Sequence, residues 1–245
     1  MDNIIPSRNL NIEFIIFDMI MMIGFIVLLL IKKQKVTLLF SIFGGILYFL
    51  VDYFIFYALL HSRKVFINGE EANQLNYFLY LLWHELSSGI SNFGFIFIAL
   101  SRKKDWKTYL FYIILWWFVP ASFSMINPSK NISCYRTTSS YHYLMTILLV
   151  IGYVGLICYN LFNKRNDKVN ILYLLIIGIS VQFLWEFSYL LFNIRPYNDS
   201  SIQTLIIDSL LETNLGMPYL YFICRFINNH INEDLSKKEL LKNGN

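Results

Sequence analysis

The chain has 245 residues, of which 56% are hydrophobic and only 15% are charged, and its formal net charge is +4. Soluble globular chains carry about 25% charged residues, so this composition indicates a membrane protein rather than a soluble one. The basic residues lie in short segments between apolar runs, which argues against a nucleic-acid partner.

Seven apolar segments are each long enough to cross a bilayer, which takes about 20 residues in a helix. In chain order they are Ile12–Ile31, Val36–Leu60, Tyr77–Leu100, Tyr109–Ile126, Tyr143–Phe162, Asn170–Asn193 and Ile202–Phe226. Pro120 is expected to bend the fourth helix and Pro218 to kink the seventh, because proline removes a backbone donor. We therefore predict an all-α bundle of seven transmembrane helices over residues 1–227, followed by a polar cytoplasmic tail over residues 228–245.

The distribution of basic residues predicts the orientation, because cytoplasmic loops carry an excess of lysine and arginine. The helix ends that follow the first, third, fifth and seventh segments hold 14 of these residues, and the opposite ends hold 6. This contrast places the N-terminus outside and the C-terminus in the cytoplasm. The abundance of Phe, Ile, Asn and Lys fits an AT-rich genome, so we expect the plasma membrane of a low-GC bacterium, with the lipid bilayer as partner.

Six carboxylates lie well inside the predicted spans. They are Asp18, Asp52, Glu85, Glu186, Asp208 and Glu212. Each costs about 2.5–3.5 kcal/mol at a helix centre, so they must be protonated, paired or hydrated. No lysine or arginine falls well inside a span, and we therefore expect no basic partner for them there. At 1.5 Å per residue, all six lie roughly 9–15 Å from the outer helix ends, which predicts one acid layer in the outer half.

Further polar and aromatic residues extend this layer along three helices at helical spacing. Polar stripes on membrane helices face the bundle interior, so we expect these residues to line a pocket, with Trp185 in its wall. The alternative is that the acids are hydrogen-bonded across helices as structural contacts and that Trp83 and Trp185 are interfacial belt residues. The stripes contain His84, Glu85 and Asn92, then Trp185, Glu186 and Tyr189, and finally Asp208, Glu212 and Asn214.

Metal signatures are incomplete in this sequence. His84 and Glu85 begin like the HExxH motif of zinc proteases, but Ser88 stands where the second histidine is required. The three cysteines show neither CxxC nor zinc spacing. We therefore expect no metal and no cofactor.

Two acids in particular sequence contexts carry a resemblance to a known family. Asp52 lies in the second-helix stretch Leu50-Val51-Asp52-Tyr53, and Glu212 begins Glu212-Thr213-Asn214-Leu215-Gly216 in the seventh helix. With seven spans in 245 residues, this layout resembles the integral-membrane terpene cyclases of fungal meroterpenoid and indole-diterpene biosynthesis and their bacterial relatives. That family has Trp-Glu followed by Tyr in its second helix. Here Val51-Asp52 replaces it, and the nearest Trp-Glu-x-x-Tyr is Trp185–Tyr189 in the sixth helix.

The resemblance implies an enzyme that protonates an epoxide or olefin of a hydrophobic, isoprenoid-like molecule. A buried carboxyl group can act as the general acid, and aromatic faces stabilise the resulting carbocation. The implied catalytic acids are Asp52 and Glu212, and the local Trp-Glu motif makes Glu186 the rival donor. The expected substrate-binding residues are His84, Glu85, Asn92, Trp185, Tyr189, Asp208 and Asn214.

Two other classes also fit an intramembrane acid layer. A cation- or proton-coupled transporter uses such acids, although the sequence lacks an evident inverted repeat. A membrane receptor or immunity protein with a ligand pocket is the other alternative. A carrier needs polar residues that continue to the cytoplasmic side. The cytoplasmic halves of the first, fifth and sixth helices are almost wholly apolar, which favours a pocket open to one side.

Overall fold

The computed structural model describes residues 7–102, 105–127, 130–136, 142–163 and 168–242, and it is 75% helical. Each of the seven predicted segments is helical close to its predicted bounds, and the seventh is divided in two. Of the predicted cytoplasmic basic residues, Lys103, Lys104, Lys164 and Arg165 lie outside the described ranges. The helices are α1 (Ile12–Ile31), α2 (Lys35–Leu50), α3 (Gln74–Ser101), α4 (Trp106–Phe123), α5 (His142–Phe162), α6 (Ile171–Leu191), α7 (Ser201–Leu211) and α8 (Met217–Lys242).

Four helical stretches are long and apolar enough to cross a membrane. The second of them joins α2 to a π-helical continuation, Val51–Leu59, that begins one residue before Asp52. Many large apolar side chains on these helices point outward and are exposed, as is expected of a lipid-facing surface. The four stretches are Ile12–Ile31, Lys35–Leu59, His142–Phe162 and Ile171–Leu191.

Successive helices run in alternating directions, because their connections lie at opposite ends of the bundle. The segment before α1 and the α2–α3, α4–α5 and α6–α7 connections meet at one end, which we call the capped end. There the N–H of Asn9 donates to the carbonyl of Ile194 at 2.7 Å. At the opposite end, Arg102 donates to the Tyr173 hydroxyl at 3.0 Å and links α3 to α6.

A four-stranded antiparallel sheet covers the capped end. Its strands are β1 (Arg8–Leu10), β2 (Arg63–Ile67), β3 (Glu70–Glu71) and β4 (Ile132–Arg136), and their spatial order is β1-β4-β2-β3. The prediction of an all-α protein is therefore wrong in this part of the chain. Strands β2 and β3 are joined by Asn68 and Gly69, which have φ of 53° and 85°. Positive φ at both positions is the requirement of a type I′ hairpin turn.

The centre of the bundle is α3, whose residues from Ser87 to Ala99 are all buried. It packs against α2 at a crossing of small residues. A Cβ atom placed on Gly89 would lie 2.5 Å from Cα of Gly45 and 2.6 Å from the carbonyl oxygen of Gly44. Only glycine permits this approach, which is the usual role of small residues where membrane helices meet.

The helix is interrupted between α7 and α8, just before Pro218, as the sequence predicted. Pro218 has no N–H to donate to the carbonyl of Asn214, and Met217 donates to that carbonyl instead, at 3.2 Å. The interruption spans residues 212–216 and places Glu212 at the end of α7. Pro120 lies inside α4. Towards the C-terminus, α8 continues through most of the predicted tail, to Lys242.

The glycine crossing gives a stability prediction with a matched control. The Gly89→Ala change should destabilise the protein by about 1–3 kcal/mol, because the new methyl group forces the backbones of α2 and α3 apart. The Gly155→Ala change on α5 meets no atom within 4 Å and should be neutral or stabilising. Thermal unfolding of both variants in detergent, followed by tryptophan fluorescence, measures the difference. Equal melting temperatures would contradict the close crossing.

Candidate functional site

The six acids of the predicted layer lie inside the bundle. Five of them are almost completely buried, and Glu212 is partly buried. Buried carboxylates are stable only when hydrogen bonds or opposite charges compensate for the lost hydration. The contacts of each acid therefore decide its protonation and its possible chemistry. The five almost completely buried acids are Asp18, Asp52, Glu85, Glu186 and Asp208.

The sheet at the capped end brings arginines to these acids. In the ladder, Arg63 of β2 lies opposite Arg136 of β4, and Arg8 of β1 lies opposite Cys134. Residues directly opposite share a face, and residues two apart along a strand share it too. Arg8, Arg63 and Arg136 thus occupy the same face as Leu10 and Val65, which are buried against the helices.

Arg63 forms a bidentate ion pair with Asp52. Its Nη2 donates to Asp52 Oδ1 at 2.9 Å, and its Nε donates to Oδ2 at 3.1 Å. Both side chains are almost fully buried, so the pair is well shielded from solvent. The expectation that the acids have no basic partner is therefore wrong. Guanidinium groups from the loops reach them, although no span contains a lysine or arginine well inside it.

Glu186 lies between two arginines. Its Oε1 accepts from Arg8 at 3.1 Å and its Oε2 from Arg195 at 2.6 Å. Arg195, in the α6–α7 connection, also contacts Asp208 Oδ2 at 3.4 Å. On the other side of Asp208, His142 Nε2 lies 3.5 Å from Oδ1. These contacts join β1, α6, α7 and the start of α5 in one buried charge network.

His84 belongs to the same network and is neutral in this arrangement. Arg8 Nη1 lies 2.7 Å from His84 Nε2, and Glu85 Oε1 lies 2.9 Å from Nδ1. Arginine is only a donor, so Nε2 must be the acceptor and the single ring proton must lie on Nδ1. We assign this tautomer from the partners. The imidazole then donates to Glu85 and carries no positive charge.

Glu212 and Arg136 line the same cavity. Neither of them forms a salt bridge with any described residue. Glu212 Oε2 accepts from the Gln182 amide at 2.8 Å, and Gln182 in turn accepts from Thr213 at 2.9 Å. Burial acts to lower the pKa of Arg136, but the acids Asp52 and Glu212 raise it overall. The Arg136 guanidinium is therefore a permanent cation at the centre of the acids.

Burial affects the pKa values of the other two strand arginines differently. For Arg8, burial acts to lower the pKa, but the Glu186 carboxylate raises it above the ordinary value overall. For Arg63, burial and the positive charge of Arg136 lower the pKa in spite of the ion pair with Asp52. The opposed pair Arg63–Arg136 is thus an electrostatic cost of this sheet register, and the acids beneath it compensate for that cost.

Two small cavities adjoin the network. Arg8 lines the first, and its guanidinium lies 4.7 Å from the centre of the ring of Trp185, which lines the second. The first, the arginine cavity, has room for about two water molecules. It is lined by Ser7, Arg8, Arg136, Glu186, Arg195, Asp208 and Glu212. The second, the tryptophan cavity, has room for about one water molecule. It is lined by Phe14, Asp18, Trp83, His84, Ser87, Ser88, Ser91, Trp116, Trp117, Trp185 and Tyr189.

The residues proposed from the sequence divide among these places. Glu186, Asp208 and Glu212 line the arginine cavity, and His84, Trp185 and Tyr189 line the tryptophan cavity. Four others line neither cavity. Asp52 lies apart with Arg63, Glu85 contacts His84, and Asn92 is fully buried in α3. Asn214 accepts from the Tyr153 hydroxyl at 3.2 Å.

Sequence reasoning missed the four arginines and the wall residues Trp116 and Trp117. The indole N–H of Trp116 donates to Asp18 at 2.8 Å, and that of Trp83 donates to the other oxygen at 2.9 Å. Trp83 and Trp185 are therefore pocket residues in this structure, which favours the pocket interpretation over an interfacial belt. Comparison with protein-family models, with curated proteins and with solved structures finds no match to this chain.

The Asp52–Arg63 pair gives a second stability prediction. Arg63→Ala should cost about 3–5 kcal/mol, because it leaves a buried carboxylate without its partner. The exposed neighbour Lys64 is the matched control, and Lys64→Ala should change stability by less than about 0.5 kcal/mol. The double change Asp52→Leu with Arg63→Leu should recover most of the loss, since apolar replacement of both partners removes the unpaired charge. A double-mutant cycle of melting temperatures tests this. Additive losses would contradict the pairing.

Proposed function

We propose that all seven helical segments cross the membrane, with the capped end outside and the C-terminus in the cytoplasm. The alternating directions of the helices and the uneven distribution of basic residues support this topology. Of the six basic residues at the capped end, Arg8, Arg63, Arg136 and Arg195 lie in or beside the buried acid network. Lys64 and Lys130 are the remaining two. The capped end therefore exposes less basic charge than its six lysine and arginine residues suggest.

Helices α3 and α7 carry several polar residues, and many of these are buried in the interior. In α3, for example, His84, Glu85 and Asn92 are all buried. At 1.5 Å per residue, the 28 residues of α3 extend about 42 Å, which exceeds the roughly 30 Å of a hydrocarbon core. Helix length therefore supports a crossing for this segment, although its mean hydropathy is low.

The topology predicts the accessibility of two tags. A short epitope inserted at Gly69, the exposed turn between β2 and β3, should react with antibody added to intact spheroplasts. A tag after Asn245 should react only once the membrane is permeabilised, because the C-terminus is placed in the cytoplasm. Labelling of the C-terminal tag in intact spheroplasts would contradict the orientation, and accessibility of both tags would contradict an odd number of spans.

We propose further that the outer half of the bundle is the site of a membrane-embedded, terpene-cyclase-like enzyme in which Glu212 is the proton donor. The observation that carries this proposal is the difference between Glu212 and the other two candidate acids. Asp52 is paired with Arg63, and Glu186 with two arginines. A guanidinium partner stabilises the ionised carboxylate, so neither acid is suited to hold a proton.

Glu212 is better suited to that role than the other two acids, because its described hydrogen bond is with a neutral amide and the nearby Arg136 guanidinium forms no salt bridge with it. The Gln182 amide donates to Oε2, which leaves Oε1 free of described hydrogen bonds and able to carry the acidic proton. Trp185 and its neighbours in the tryptophan cavity supply the aromatic faces that a carbocation requires. Glu212 lines the arginine cavity and the aromatic walls line the tryptophan cavity, so a substrate that spans both would meet the acid and the aromatic faces.

Substrate binding requires the site to open. Ligand pockets for drug-sized molecules are typically about 300–1,000 Å³, whereas each cavity here holds only one or two water molecules. A hydrophobic isoprenoid reaches the bundle from the lipid, and its binding must separate the sheet from the helices or one helix from another. The proposal therefore predicts slow, substrate-induced opening rather than a preformed pocket.

The catalytic proposal is tested by Glu212→Gln, which keeps the shape and the contact to Gln182 but removes the acidic proton. In membranes supplied with prenyl epoxides, this variant should lose at least about 10²-fold in turnover while it keeps its melting temperature. Asp52→Asn is the control, and we expect it to lower the melting temperature through its effect on Arg63. Wild-type turnover in Glu212→Gln would exclude this donor. Absence of cyclised product from the wild-type protein with every epoxide would contradict the enzymatic assignment.

A further inference from the structure

Asp18, in the second turn of α1, has an environment unlike that of the ion-paired acids. Its side chain is buried, and it forms no salt bridge with any described residue. Its two oxygens accept hydrogen bonds from Trp116 and Trp83. The described partners of this carboxylate, the two indoles and the Ser87 hydroxyl, are all neutral donors.

Serine hydroxyls present further oxygen atoms to the same cavity. The Ser91 hydroxyl donates to the carbonyl of Ser88 at 3.0 Å, and the Ser88 hydroxyl lies 3.4 Å from the carbonyl of Glu85. A hydroxyl has one proton to donate, and both of these protons point back into α3. The Ser91 oxygen also accepts from the indole N–H of Trp117 at 3.1 Å, so one lone pair of Ser91 and those of Ser88 can still serve as acceptors or ligands.

The charge of the outer half also leaves Asp18 without compensation. Four arginines, Arg8, Arg63, Arg136 and Arg195, accompany six buried acids, and their ion pairs involve Asp52, Glu186 and Asp208. His84, which lines the tryptophan cavity, is neutral in its assigned tautomer. An unpaired buried carboxylate is strongly unfavourable, so Asp18 requires a proton or a cation.

We propose that the tryptophan cavity is a binding site for one dehydrated monovalent cation of the size of sodium, held by Asp18 and by the hydroxyl oxygens of Ser88 and Ser91. Hard cations prefer oxygen ligands, and a single carboxylate matches a single positive charge. Room for about one water molecule excludes a hydrated ion or an organic ammonium.

The test measures the melting temperature of the purified protein in sodium, potassium or N-methylglucamine chloride at constant ionic strength and pH. At a free sodium concentration ten times the dissociation constant, sodium should raise the melting temperature of the wild-type protein by about 3–6 °C over N-methylglucamine. Potassium should give a smaller shift. Equal melting temperatures in all three salts would overturn the proposal, and stabilisation by acid alone would mean that Asp18 carries a proton instead.

Three variants locate the effect. Asp18→Asn should abolish the sodium shift, and a sodium shift of wild-type size in this variant would overturn the proposal. Ser91→Ala keeps the carboxylate and is the milder change if Asp18→Asn does not fold. It should raise the sodium concentration for half-maximal stabilisation about tenfold or more, and an unchanged concentration would exclude Ser91 as a ligand. Glu212→Gln should keep the full sodium shift, so the cation site and the catalytic proposal succeed or fail independently.

Discussion

The constraint on which this structure depends is the burial of six carboxylates in a bundle whose spans contain no basic residue well inside them. Ionised carboxylates in such an environment need opposite charge nearby. The chain supplies it from one end. Strands β1, β2 and β4 place Arg8, Arg63 and Arg136 on the face that meets the helices, and the α6–α7 connection adds Arg195. The sheet is thus part of the electrostatic balance of the helical bundle and more than a cover over the loops.

This balance divides the acids into two groups with different chemical capacity. Asp52, Glu186 and Asp208 contact arginines, and the close ion pairs of the first two favour their ionised form. Among the described residues, the hydrogen-bond partners of Asp18, Glu85 and Glu212 are neutral donors, including indole, imidazole and amide groups. Buried ion pairs often contribute more to the choice of one arrangement than to stability, whereas an uncompensated acid can take up a proton, a cation or a cationic substrate. We therefore expect function in the acids with neutral partners, and a structural role for the acids that contact arginines.

The helices could be predicted from the sequence because each apolar run is long and bounded by polar residues, and Pro218 marked the interruption of the seventh. The sheet was missed because its strands are short and pair across the chain, as Arg8 does with Cys134. One local signal was available: Asn68-Gly69 is a favoured type I′ turn. The arginine partners were missed for a related reason, because only residues inside the spans were counted. Long guanidinium side chains reach several ångströms from their backbone positions, and only the fold shows in which direction.

The same geometry links access to the site with its protonation. Arg8, Arg63 and Arg136 belong to the sheet, so any movement of the sheet away from the helices removes positive charge from the acids beneath it. Glu186 would lose one of its two arginines, and Asp52 would lose its only described ion-pair partner. Carboxylates deprived of their partners bind protons or cations more strongly. The proposed opening would therefore be coupled to proton uptake by these two acids, and the coupling is reciprocal: protonation of Glu186 and Asp52 favours the open form, and their arginines favour the closed one.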